Sequence, residues 1–161
     1  MAILDNIRNV MNKVIRIVCI LLFAFMVIIG TYQILVRYIF NNPSTVSEEL
    51  LTYSFTWMSL FAAAYVFGKR EHMRMGFLAD KLNKKKLTIL NAIIEIIIIA
   101  FALIVMVYGG ISITSLSMTQ KTASLGIPMG YVYIVIPITG VVIAVYGVLN
   151  VLCHIRILEV S

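Results

Sequence analysis

The sequence predicts an all-α membrane protein of four transmembrane helices with both termini cytoplasmic. Three observations carry that prediction. First, 61% of the 161 residues are apolar and only 12% are charged, against about 45–50% and about 25% in an average soluble domain. So few charges cannot cover the surface of a chain this small, and the excess apolar surface has to face lipid. Second, the charges leave long gaps. Ile17 to Val36 and Leu50 to Gly68 are uncharged, Leu87 to Gln120 carries only Glu95, and Thr122 to Ile155 carries none. About 20 helical residues cross a hydrocarbon core about 30 Å thick, which gives spans near 17–37, 47–68, 91–114 and 129–152. The runs are apolar all round and lack the alternation of barrel strands, so helices satisfy their backbone in lipid. Third, the basic residues are lopsided. The amino end, the loop after the second span and the carboxyl end hold eleven lysines and arginines, and the other side holds Arg37 and Lys121. The positive-inside rule puts the eleven in the cytoplasm. It also accounts for the net charge of +6 as topology signals beside anionic lipid, with no nucleic-acid partner implied.

Taken in order, residues 1–16 form an amphipathic stretch. Ile3, Leu4, Ile7, Val10, Met11 and Val14 recur at helical spacing, with Asp5, Asn6, Arg8, Asn9, Asn12 and Lys13 opposite. This reads as a short interfacial helix lying on the membrane. The apolar run behind it is too long for a signal-peptide core and no small-x-small cleavage site is present. Cys19 and Cys153 fall at the cytoplasmic ends of their spans and read as reduced packing residues.

The first span ends at Arg37. The second opens on Thr45-Val46-Ser47-Glu48, which reads as a capping box with Thr45 as N-cap and Glu48 at N3. Glu48 and Glu49 then occupy the end of the helix dipole that favours negative charge. Arg37, Glu48 and Glu49 therefore share the periplasmic end of one hairpin, as a structural pairing or as an acidic docking patch. Further along, Ser59/Ala63, Ala64/Gly68 and Gly140/Ala144 are small-residue pairs at four-residue spacing, which let helices approach closely in lipid. The contact they serve is either within this chain or with a partner subunit. Trp57 is mid-helix, away from the aromatic belt, and is a candidate for the same interface.

Glu95 is the one charge near a span. It is interfacial and paired with a lysine or arginine of the second loop, or buried against a partner subunit, or an ion site. The shallow placement is favoured, because the uncharged run from Ile96 is long enough to span alone. No Ser–His–Asp set, His/Cys ligand cluster or glycine-rich phosphate loop is present, and His72 and His154 sit at the cytoplasmic boundary without an obvious ligand partner. No catalytic residue, substrate-binding residue, metal site or cofactor is expected in this chain.

Several local patterns, in order, resemble the small DctQ-type membrane subunit of tripartite ATP-independent periplasmic (TRAP) transporters. Arg37-Tyr38-Ile39-Phe40 resembles the family's Arg-Tyr-x-Phe at the end of the first helix. Ser47-Glu48-Glu49-Leu50, followed by Trp57, resembles its Trp-x-Glu-Glu-Leu segment. Arg70-Glu71-His72-Met73-Arg74-Met75 resembles its Arg-x-x-His-Ile-x-Val-Asp stretch in the cytoplasmic loop. Leu125-Gly126-Ile127-Pro128, with Tyr131, Tyr133 and Pro137, resembles the start of its fourth helix. Val46 and Gly76 depart from the pattern, where the family often has tryptophan and aspartate. The resemblance covers nearly the whole chain. It implies a non-catalytic scaffold subunit in the bacterial inner membrane, packed on a large elevator-type membrane subunit. That large subunit would bind organic acids and sodium ions, and a periplasmic substrate-binding protein would deliver the substrate. The rival is an autonomous four-helix, proton-coupled exporter working as a homodimer with Glu95 as its proton site, and a membrane-integral enzyme or assembly factor stands behind it.

Overall fold

The computed structural model describes residues 2–69 and 84–160, with side chains for 6–69 and 89–152. Four helical stretches among them are long and apolar enough to cross a membrane: Asn6–Tyr38, Thr45–Gly68, Ile89–Ser117 and Gly130–Leu152. The architecture is all-α. The elements are α1 (Ala2–Tyr38), α2 (Thr45–Gly68), α3 (Lys84–Phe101), a π-helical segment (Ala102–Gly109), α4 (Gly110–Ser117), α5 (Gly130–Tyr133) and α6 (Val135–Val160). The third span is α3, the π segment and α4 in line, and the fourth is α5 and α6. Both termini lie at one end of the bundle, here called the terminal end. The short connections at 39–44 and 118–129 lie at the other, the hairpin end.

The helices pack in the order α1, α2, α6, α3. α1 lies along α2, α2 on α6, and α6 along α3 and the π segment. The fourth span is therefore central and the most buried. Ala64, Ala102, Ile143 and Ala144 form the buried core, with Phe67, Ile98, Met106 and Val142 packed round it. Small residues sit where backbones meet. A Cβ on Gly140 would stand 2.7 Å from Cβ of Met106 and 3.2 Å from the carbonyl oxygen of Ala102, and one on Gly68 would overlap the ring of Tyr146. Lipid offers helices no hydrophobic reason to associate, so such approaches supply the contact. Of the paired small residues, Ala64, Gly68, Gly140 and Ala144 serve this chain, whereas Ser59 and Ala63 face outward.

Three sequence expectations change. Residues 1–16 are not a separate interfacial helix. α1 runs unbroken for 37 residues, about 55 Å, because no glycine or proline interrupts residues 2–29, and Arg8 and Asn12 bond it to the bundle. The N-cap of α2 is Ser44, whose hydroxyl accepts from the Ser47 amide at 3.4 Å and from the Ser47 hydroxyl at 3.0 Å. Thr45 is the first helical residue, so Ser47 takes N3 and Glu48 lies one position past the capping box. The fourth span is broken at Ile134, because Pro137 has no N–H and its ring crowds the carbonyl of Tyr133.

Candidate functional site

Polar side chains cluster at the two ends of the bundle. At the hairpin end, the 118–129 connection folds back on itself. The Thr122 amide donates to the Ile127 carbonyl and the Met129 amide to the Gln120 carbonyl, both at 2.8 Å, and Gly126 takes the left-handed turn with φ +68°. The tip of this turn leaves two amides pointing outward, and Glu49 takes both. Its Oε2 accepts from the amides of Ser124 and Leu125, each at 2.9 Å, and its Oε1 from the hydroxyl of Tyr53 at 2.5 Å. Glu49 is thus a bracket fixing the second connection to α2, and its carboxylate is not a free docking group. Tyr53 is placed for this by the four-residue helical step from Glu49, and its hydroxyl also lies 3.5 Å from the sulfur of Met129.

Glu48 does face Arg37, but loosely. Their nearest atoms are 3.9 Å apart, with the side chains 57% and 53% exposed. An exposed pair of this kind is worth about 0–1 kcal/mol. Glu48→Ala is therefore expected to change stability in detergent by less than about 1 kcal/mol, measured by thermal unfolding. A larger loss would show that Glu48 has a structural role beyond this pair. Arg37 also lies beside the ring of Tyr38, 6.0 Å from its centroid.

Trp57 is half-buried and is engaged within the chain. Its Nε1 donates to the carbonyl of Val132 at 3.0 Å, in the turn that the break at Ile134 disrupts. Its ring meets Phe61 edge-on, with centroids 6.4 Å apart. Pro128 pairs with Lys121 in the folded-back connection, Tyr131 is exposed, Tyr133 is half-buried, and Pro137 packs against Gly110. Arg70 and His72 lie outside the described residues.

At the terminal end, Asn150 has no exposed surface. Its Nδ2 donates to Oε1 of Glu95 at 2.9 Å, and its Oδ1 accepts from a guanidinium nitrogen of Arg8 at 2.7 Å. One turn away, the fully buried Tyr146 donates its hydroxyl to Oδ1 of Asn12 at 2.7 Å. Arg8 and Asn12 belong to the polar face of the amphipathic stretch and turn into the bundle, whereas Asn6, Asn9 and Lys13 of that face are exposed. This cluster ties α1, α3 and α6 together. It also sets the depth of Glu95. The ring of Tyr146 covers Gly68, the last residue of α2, and Asn150 lies one turn, about 6 Å, further on. Glu95 is level with that outer turn, toward the terminal end of the bundle. Of the second-loop basic residues expected to pair with it, Lys69 lies over the ring of Tyr65, 5.1 Å from its centroid, and the side chains of the others lie outside the described residues.

Between these ends the described spans offer hydroxyls that serve the helix itself. Thr52, Thr56, Ser59, Ser112, Thr114 and Thr139 each donate to a carbonyl four residues earlier. That arrangement holds a span in lipid and leaves no polar track along it.

Residues 26–157 match the family model described as tripartite ATP-independent periplasmic transporters, DctQ component. A Vibrio cholerae protein named sialic acid TRAP transporter small permease protein SiaQ is 28% identical over 143 residues, covering 86% of this chain and 79% of its own. Two Haemophilus influenzae proteins named as TRAP transporter small permeases are each 24% identical. One matches over 139 residues, with 86% of both chains covered, and the other over 136 residues, with 84% and 82% covered.

Proposed function

The chain belongs to the DctQ component family of TRAP transporters, and from that premise we propose that it is the fixed small subunit of a sodium-coupled organic-acid importer in the bacterial inner membrane. In this reading it packs on a large elevator-type membrane subunit, which binds the substrate and the sodium ions, and the pair receives substrate from a soluble periplasmic binding protein. The observation that carries it is the polar geometry. The charged side chains described in the bundle sit at its two ends, Glu49 and Glu95 are engaged within the chain, and the hydroxyls between them bond their own helices. A group that couples ion flow has to change partners within the membrane. These groups hold helices together instead. The named substrate of the Vibrio relative, sialic acid, is a carboxylated sugar, which supports organic acids as the substrate class.

Reconstitution tests the division of labour. Liposomes containing this chain alone are expected to take up no solute, and liposomes containing it with the large subunit and the binding protein to take up the acid on a sodium gradient. Uptake or proton-driven export by the chain alone would overturn the scaffold reading. The orientation has its own check. Cysteines placed at the exposed Asn42 and Lys121 should react with an impermeant reagent from the periplasm, and a cysteine at Lys85 only after the membrane is opened. Periplasmic labelling at Lys85 would reverse or break the topology.

A further inference from the structure

The third span changes its winding where it meets the centre of the fourth. Phe101 ends the α-helix, and Ala102–Gly109 is π-helical for 8 residues before α4 resumes. π turns are rare, and a run of this length has a cause. The contacts on the fourth span supply it. Ala102 is fully buried and, with Met106, borders Gly140. Gly110 faces Pro137 and Ile136, and Thr114 and Met118 lie against Gly130. These residues recur at 102, 106, 110, 114 and 118, a strict four-residue step. An α-helix turns about 100° per residue, so each such step overshoots by about 40°, and four steps carry Met118 about 160° away from the seam that Ala102 faces. A π-helix has about 4.4 residues per turn and turns about 18° less per residue, so eight residues take back about 140° of that drift. Below the segment, Glu95 and Ile99 already face the fourth span at Asn150 and Gly147.

We propose that the π segment is a register joint: between Met106 and Gly110 the third span holds one residue more than a straight α-helix needs, and the wide turns absorb it. The joint keeps Glu95 on Asn150 at one end while Thr114 and Met118 seat Gly130 at the other. With one residue removed between 106 and 110, a plain α-helix would place Glu95, Ile99, Ala102, Met106, Gly110, Thr114 and Met118 within about 40° of one line. One residue added would double the surplus.

The test sets a deletion against an insertion at the same place. Deletion of Tyr108, which is exposed, and insertion of an alanine after Tyr108 are each made in the full-length chain with Cys19 and Cys153 replaced by serine. Three quantities are read in detergent: disulfide formation between Ile99→Cys and Gly147→Cys for the lower contacts, the emission of Trp57, the one tryptophan, for the hairpin end, and the unfolding temperature. The deletion is expected to leave the disulfide rate within about twofold of the parent and the Trp57 emission unmoved, and the insertion to slow the disulfide about tenfold or more and lower the unfolding temperature. An ordinary helix would suffer from both changes, since each rotates one half by about 100°. A deletion as damaging as the insertion, a deletion that fails to fold, or two changes without effect would each overturn the joint.

Discussion

Gly140→Leu is expected to separate the third and fourth spans. A Cβ there would stand 2.7 Å from Cβ of Met106, 3.1 Å from a methyl of Val107 and 3.2 Å from the carbonyl oxygen of Ala102. One of these neighbours is backbone, so rotamer changes cannot clear the space. Overpacking a filled core typically costs about 1–3 kcal/mol, and a leucine pressed on main chain belongs at or above the top of that range. The core built from Ala102, Ile143 and Ala144 lies beside this contact, so its burial is lost as well. Thermal unfolding in detergent should fall by many degrees. Gly30 is the control. A Cβ there would meet only a methyl of Leu51, at 3.9 Å, so Gly30→Ala fills ordinary space in a helix interior and should stabilise by about 0.5–1 kcal/mol. Equal losses at both glycines would show that the close approach is not what matters.

The spans were legible because lipid imposes a simple rule on charge. Wherever about twenty residues lack one, a helix can cross, and each of the four helices overlaps one of the runs read that way. Legibility fell off where a polar side chain chooses between water, lipid and a neighbour. Arg8 and Asn12 looked like a face turned to water, because a helical pattern shows which residues share a face and not what that face meets. Asn150 was passed over inside an uncharged run, although an asparagine one turn from a tyrosine near the end of a span is a polar group in need of partners. Glu49 was grouped with Glu48 by adjacency, yet a helix turns about 100° between neighbours. One therefore meets Arg37 at the surface and the other the 118–129 connection. The four-residue step at 102–118 was present in the sequence, but hydropathy cannot show it in a span that is apolar all round.

Asn150→Leu is expected to loosen the terminal end. Leucine has the same branched four-atom outline and slightly more volume, so the loss reports the two hydrogen bonds rather than a cavity. Between helices in a membrane such bonds average about 0.6 kcal/mol, and two of them alone would predict a mild effect. The partners decide otherwise. Glu95 and Arg8 are charged, and the amide of Asn150 links them through bonds of 2.9 and 2.7 Å. Bonds to charged groups are worth about 1.5–3 kcal/mol, and removing one member of a buried charged network costs about 3–5 kcal/mol. The cluster sits at the terminal end of the bundle, where a freed Arg8 head can turn toward water, so about 2–4 kcal/mol is the expected loss. Because Arg8 belongs to α1 and Glu95 to α3, the damage should be uneven. Proteolysis should reach α1 near Arg8, while the folded-back 118–129 connection, held by Glu49, stays protected. Val148 is half-exposed on the same helix, and Val148→Leu should change neither reading. If Asn150→Leu is as stable as the parent and α1 stays protected, the polar relay does not hold the amino-terminal stretch on the bundle, and the apolar contacts of α1 with α2 are sufficient.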